Sequence, residues 1–446
     1  NGWYVYANLI NDELIPTNFI PGRDNPQSKG LRPWMIYSEQ KIQSFRVKFT
    51  VPEKYQRQKQ NKETFQSSAN KGVLNNLAIF IRFADETGFS QNSQYFDVPY
   101  NAKNQVSVYD YYWELSYNQL EIKTHFYPNP QNNIILSYQD PYPRSYYKKY
   151  NAVSASNGYK NDNERTFREM TLIKNAVDYV KSSIPTDLNL DFDNDGYVDN
   201  VAFIVTGGPE GWADLLWPHM WALYYYDVQI NGKRVWNFNF LLANWFDASV
   251  LSHEMFHTLG APDLYRYYVS GTPVGYWDIM ASNLRPPQYS SVYMRYKYGK
   301  WIDDIPEINT SGWYELNPSS MKYGSAYKIR SKNYPTEFYI IEYRKREGKY
   351  DISLPSGGLL VWRINSNYNG NAGGPPDEIY VYRLDGTSTS WGDISKATFA
   401  AEHQRTKINN YSTNPKPFLT DGSLGGLNIS NVGTQGTTIR FRVNFP

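Results

Sequence analysis

Apolar and polar positions follow two rhythms along this chain. Up to about residue 206, compact apolar runs alternate with helical periodicity. Leu77 to Phe83 (LAIFIRF) is short, rich in aromatic and branched residues, and bounded by Asn75-Asn76 and Ala84-Asp85, which predicts a buried strand. Ser107, followed three residues later by Asp110, predicts the start of a helix carrying Tyr111, Trp113 and Leu115. Strand-like segments follow at Leu120 to Phe126 and Ile134 to Tyr138. From Glu164 to Ile184, Phe167, Met170, Ile173, Val177 and Val180 recur at three and four residues, one face of an amphipathic helix that Pro185 stops. Val201 to Thr206 reads as a second central strand, broken by Gly207-Gly208-Pro209. Beyond about Ile305 the helical period is lost. Phe338 to Arg344, Gly358 to Ile364, Ile379 to Leu384 and Thr438 to Asn444 are short strands separated by Gly, Pro, Asn and Ser clusters, the pattern of a β-sandwich. Asn369 to Pro376 and Asp421 to Gly426 read as turns or loops.

The first 70 residues are polar and turn-rich and end in a Gln/Lys/Asn/Ser stretch, Gln56 to Lys71, which reads as a linker or as a remnant of a propeptide. The expected organisation is an N-terminal segment over 1–70, an α/β (α+β) domain over 71–304 and an all-β sandwich domain over 305–446. A chain of 446 residues accommodates two or three such units.

Composition narrows the chemistry. The 45 Lys and Arg balance 43 Asp and Glu, leaving +2 and no basic field to grip phosphates, so nucleic acid is excluded as a partner. There is no cysteine, which removes disulfides, thiolate zinc sites and cysteine nucleophiles together. Any metal must then be held by His, Asp or Glu. No run approaches the roughly 18 apolar residues of a membrane span, and the opening NGWYVYANLI lacks the basic-then-apolar order of a signal peptide. The leader of an exported chain is therefore expected to have been removed.

The informative stretch is Ser252 to Tyr265, SHEMFHTLGAPDLY. His253 and His257 stand four apart, so on a helix they present two imidazoles to one ion. Glu254 directly follows the first of them, where its carboxylate reaches a metal-activated water as a general base. Asp247 reads as the N-cap and Gly260 as the helix stop; with Pro262 barring continuation, Asp263 can swing under the ion as a third ligand. The full spacing arises by chance in roughly 1 of 100,000 chains of this composition. Downstream, Asp278 is another carboxylate that competes for the third position.

With the turn GYWDIMAS at Gly275 to Ser282, this stretch resembles the metzincin metalloproteases, whose zinc motif is followed by a tight turn carrying a Met beneath the metal. HEMFHTLGAPDLY, that turn, the aspartate-rich loop before a strand, the WPH triplet at Trp217 to His219 and the pair FYIIEYR and GGLLVWRIN look like the immune inhibitor A family of secreted bacterial metalloproteases, over roughly Leu77 to Ile364. The resemblance implies a metzincin-like catalytic domain over 71–304, Zn²⁺ on His253, His257 and Asp263, Glu254 as base and Met280 as the residue under the metal. It implies a secreted or cell-surface endopeptidase acting on proteins or peptides. Tyr276 and His219 are the donors considered for the oxyanion of the tetrahedral adduct.

A second ion is suggested by LDFDNDGYVDN. Asp191, Asp193, Asp195 and Asp199 fall at positions 1, 3, 5 and 9 of a calcium loop, with Gly196 at position 6 and the Tyr197 carbonyl at position 7. Ala202 occupies position 12, so the expectation is a structural Ca²⁺ and not a helix-loop-helix sensor. The β module allows glycans as further partners, and the rival to an enzyme is a non-catalytic, metal-stabilised adhesin or glycan-binding protein. Glu254 separates the two, because a scaffold needs no acid at that position.

Overall fold

A computed structural model describes residues 7–10, 13–16, 70–211, 214–331 and 334–445. Most of the segment expected over 1–70, with its reading as linker or propeptide remnant, lies outside the described residues. The chain is mixed α/β, with several sheets and few helices. Its contacts divide it into two compact units. One holds Val73–Asn101 and Ile122–Asp247; the other holds Ala69–Gly72, Ala102–Glu121 and Ala248–Pro446. The boundary expected near 305 falls inside the second unit.

The first unit is built on a sheet of β1 (Gly72–Arg82), β2 (Leu120–Tyr127), β3 (Val201–Val205), β4 (His219–Ala222) and β5 (Asn237–Leu242), in the order β2-β1-β3-β5-β4. β1, β3 and β5 run parallel, and their rows are in register: Leu77, Val201 and Phe238, then Ile79, Phe203 and Phe240, then Ile81, Val205 and Leu242. All nine belong to one apolar core with Met170, Leu172, Ile173, Ala176, Val177 and Val180 of the helix Asp162–Val180. Asn161 caps that helix by accepting from the Glu164 amide at 2.9 Å. The cap is worth about 1 kcal/mol, whereas each fully buried aliphatic side chain contributes roughly 1.5–3 kcal/mol, so packing decides which face turns inward. Phe167, expected on that face, is instead 52% exposed. The strand expected over Ile134 to Tyr138 is reduced to Tyr138–Gln139, which pairs with the end of β1.

In the second unit the β region forms two four-stranded antiparallel sheets. One has the order β6 (Gly312–Leu316), β13 (Ile439–Val443), β12 (Asn428–Ser430), β11 (Ile408–Asn409); the other runs β7 (Ala326–Arg330), β8 (Glu337–Arg344), β9 (Gly358–Asn365), β10 (Ile379–Val381). Leu316, Ile439 and Phe441 of the first sheet share a core with Ile329, Tyr339, Ile341, Leu359 and Val361 of the second. The outer side of β8 is polar yet buried. Arg344 donates to Asp351 at 2.5 and 2.8 Å and to the Trp277 carbonyl at 3.0 Å, and Glu342 accepts from the Val292 amide at 2.7 Å. These bonds tie the sheet to the turn that carries Met280. Among the described residues no helix is long and apolar enough to cross a membrane.

Candidate metal centre

The helix Ala248–Thr258 begins directly after Asp247, and Ala248 to Phe256 are all buried, the polar Ser249, Ser252, His253 and Glu254 included. It is clamped by the helix Val108–Leu115, where Ser107 accepts from the Asp110 amide as the sequence predicts. Tyr112 of that helix donates to the Ser252 carbonyl at 2.5 Å, and Phe256 stacks on Trp301 with ring centroids 5.7 Å apart. At the C-terminal end, Gly260 takes φ 96°, a conformation that a side chain at that position resists. The Gly260 amide donates to His257 O at 2.9 Å and the Ala261 amide to Phe256 O at 3.0 Å, the paired bonds of a Schellman stop. That stop folds the chain back and brings Asp263 against the helix.

His253 Nε2 then lies 3.2 Å and His257 Nε2 3.3 Å from Asp263 Oδ1. Each ring is fixed from behind. His253 Nδ1 faces the Ile279 carbonyl at 2.9 Å and His257 Nδ1 the Ala261 carbonyl at 2.8 Å, so the hydrogen belongs on Nδ1 and the Nε2 lone pair faces Asp263. Asp263 Oδ1 is buried and makes no hydrogen bond. Two imidazole lone pairs and a carboxylate oxygen converging without a hydrogen between them form a cluster of acceptors, stable when a cation or protons sit among them. Two nitrogens and one oxygen in a largely buried cluster suit Zn²⁺. Glu254, the neighbour of His253, is buried beside them.

Protons compete with a cation for these atoms. Burial opposes charge on the His257 ring, but the Asp263 carboxylate beside it carries its pKa up to about 9. His253 is raised in the same way, again against burial. Burial favours the neutral acid at Asp263, and the two imidazoles outweigh it, holding the carboxyl well below the usual range.

The turn over residues 275–282 closes the back of the site. The Ile279 carbonyl holds His253, and the Met280 carbonyl accepts from the Leu264 amide at 2.8 Å, next to Asp263. Met280 itself is fully buried. Asp278, the rival third ligand, is occupied elsewhere: Oδ1 accepts from the Met280 amide at 3.0 Å and Oδ2 from the Ser291 amide at 2.7 Å. It closes the turn. The oxyanion role expected of Tyr276 and His219 finds no support. The Tyr276 hydroxyl faces Ser395 and Asp393; burial first, and then Asp393, push it up to about 12. His219 has both ring nitrogens engaged, at 2.5 Å from Trp217 O and 2.6 Å from Glu169 Oε1.

Three supporting residues have no signal in the sequence. The Tyr267 hydroxyl donates to Asp263 Oδ2, leaving Oδ1 free for the imidazole side. The Asn371 amide donates to the Asp263 carbonyl at 2.8 Å, and its side chain donates to Leu264 O at 3.0 Å. Gly370 has no room for a Cβ, which would stand 2.5 Å from Pro262 Cβ and 2.7 Å from Asp263 O. The loop read only as a glycine-rich turn thus braces Asp263. Tyr267→Phe is expected to weaken zinc binding about 10- to 100-fold, measured by competition with a chromogenic chelator. An unchanged affinity would mean that Asp263 is oriented without it.

In the acidic loop, Asp191, Asp193 and Asp195 offer oxygens within 4.8 Å of one another, and Asp191 Oδ1 is buried without a hydrogen bond. Asn194 (φ 60°) and Gly196 (φ 87°) turn the chain around them. Asp199 stands outside this cluster, both its oxygens accepting from the Phe192 amide at 3.0–3.1 Å, and the Tyr197 amide donates to Asp195 at 2.8 Å. Lys233 reaches Asp191 Oδ2 at 2.6 Å, so one ammonium already offsets part of the charge.

No family model matches the chain. Curated proteins give no match either. Among solved structures it is similar to wild-type OgpA from Akkermansia muciniphila, at 9% identity over 70% of this chain and 92% of that chain, with a TM-score of 0.27. A likeness of that size carries no argument about chemistry.

Proposed function

We propose that this chain is a zinc-dependent endopeptidase of the metzincin type, akin to the immune inhibitor A proteases and acting outside the cell. The reading is carried by the convergence of His253 Nε2, His257 Nε2 and Asp263 Oδ1 within 3.2–3.3 Å, with Glu254 next in the chain and Met280 in the turn behind. Bound there, zinc would polarise a peptide carbonyl and acidify a water. The chain's own part is positional and acid–base. The Ile279 and Ala261 carbonyls keep Nε2 of both histidines aimed inward, and Tyr267 keeps Asp263 from rotating away. The Glu254 carboxylate accepts the proton of the attacking water and returns it to the departing amine nitrogen.

The test is cleavage of an unstructured protein such as casein, abolished by 1,10-phenanthroline and restored by zinc. Cleavage indifferent to the chelator would overturn the reading. A structural Ca²⁺ on Asp191, Asp193 and Asp195 belongs to the same proposal: in chain already depleted of zinc, EGTA is expected to lower the melting temperature by several degrees in the parent and by nothing in Asp193→Asn. Equal melting curves with and without EGTA would discard that ion.

A further inference from the structure

The second unit contains a cavity of about 330 Å³, at the small end for sites that hold one small ligand. Its wall includes Arg363, Tyr380, Trp391 and Phe418, with Arg266 and Ser388 at other points of the lining. Arg363 comes from β9, opposite Tyr380 on β10 and Tyr339 on β8. It is 4% exposed, and its Nε has no acceptor. Its guanidinium lies over the rings of Tyr380 at 5.0 Å and Phe418 at 5.4 Å, and among the described residues it has no carboxylate partner. The Tyr380 hydroxyl, also buried, has no hydrogen-bond partner either.

The surroundings leave positive charge over. Arg266 is paired with Asp377 through two bonds of 2.5 and 2.7 Å and stacks on Trp391 at 4.6 Å. Arg383 donates only to carbonyls, those of Trp391, Pro273, Val381 and Thr272. Glu337, on the strand beside β9, accepts from the amide and hydroxyl of Thr420. Of these two carboxylates, Asp377 is paired with Arg266 and Glu337 Oε2 accepts from Thr420, and neither is paired with Arg363. A buried cation without a counter-charge is destabilising unless something compensates it. A bound carboxylate does so bidentately, in the fork geometry of arginine.

We infer that this cavity is a subsite for an acidic monosaccharide, its carboxylate on Arg363 and its ring against Tyr380, Trp391 and Phe418. A ring fits the observations better than an acidic amino-acid side chain. The volume exceeds what a short aliphatic acid fills, three aromatic side chains partly covered by Arg363 and Arg266 line the wall, and exposed residues Thr387 and Ser388 stand at the lining to meet a polyol. This inference does not rest on the peptidase reading, because it concerns binding and not cleavage.

The test is saturation-transfer NMR and calorimetry on the full chain, using glucuronate and N-acetylneuraminate against glucose and N-acetylglutamate amide. The acidic sugars are expected to bind, glucose not, and Arg363→Gln to weaken binding at least tenfold. Because Arg363 has no carboxylate partner to lose and gives up only its contacts with the Tyr380 and Phe418 rings, Arg363→Gln should melt close to the parent temperature, whereas loss of an ion-paired arginine would lower it clearly. Ser388→Trp, a change at an exposed residue, should block the cavity and abolish binding in a folded chain. Binding of N-acetylglutamate amide but not of the sugars would overturn the assignment, as would acidic sugars binding no better than glucose or equally well to Arg363→Gln and Ser388→Trp. Loss of this binding with proteolysis intact would leave the zinc reading standing, and the converse result would leave this one.

Discussion

Glu254→Gln is expected to reduce kcat for peptide cleavage by about 10³-fold while the chain keeps its zinc. The amide preserves the size of the side chain and cannot take a proton from water, so the loss isolates acid–base chemistry from metal retention. The three atoms that converge are those of His253, His257 and Asp263, and Glu254 is not among them. Metal content should therefore be unchanged by elemental analysis. A variant as fast as the parent would show that the base is another group; a variant without zinc would show that Glu254 is a ligand.

The second large effect is on the metal itself. His257→Ala removes one donor and leaves Asp263 Oδ1 facing a single imidazole, so zinc at stoichiometric concentration should no longer be retained and cleavage should fall to background. In the parent, metal uptake should also depend on pH in a defined direction. The folded pKa of His257, about 9, stands above its ordinary 6.5, opposed by burial and raised by Asp263. Proton binding therefore stabilises the metal-free fold fully below pH 6.5, and that contribution drains away as pH rises through 9. Zinc takes the proton's place, so the rise in melting temperature on adding zinc should be small at pH 6 and grow toward pH 9. A zinc-induced shift that shrank over this range would contradict the assignment of the ligands.

Much of the site was legible because it is local. Two histidines one helical turn apart, a glycine stop and an aspartate three residues beyond it are relations within eleven residues, and the Schellman stop at Gly260 converts that spacing into proximity. The central strands were equally plain, since unbroken apolar runs such as Val201 to Val205 have one stable environment, a covered parallel sheet. What remained hidden depends on distant partners. Tyr267 is one of 41 tyrosines, and only the path of the turn after Gly260 brings its hydroxyl to Asp263. Asn371 and Gly370 act on Asp263 from more than 100 residues away. Phe167 sits at the edge of the periodic pattern and points outward, because the face that is buried is turned toward Leu172 and Ala176, which the three- and four-residue spacing leaves out. His219 and Tyr276 were drawn toward the chemistry by residue type, whereas their hydrogen bonds to Glu169 and Ser395 depend on folds of the chain that no spacing encodes.

The most direct measurement is zinc K-edge absorption on the purified chain loaded with one equivalent of metal. Two imidazole nitrogens and one carboxylate oxygen at about 2.0–2.2 Å are predicted, with the imidazole signal halved in His253→Ala. A spectrum of zinc surrounded by oxygen alone, unchanged by that substitution, would contradict the account at its root.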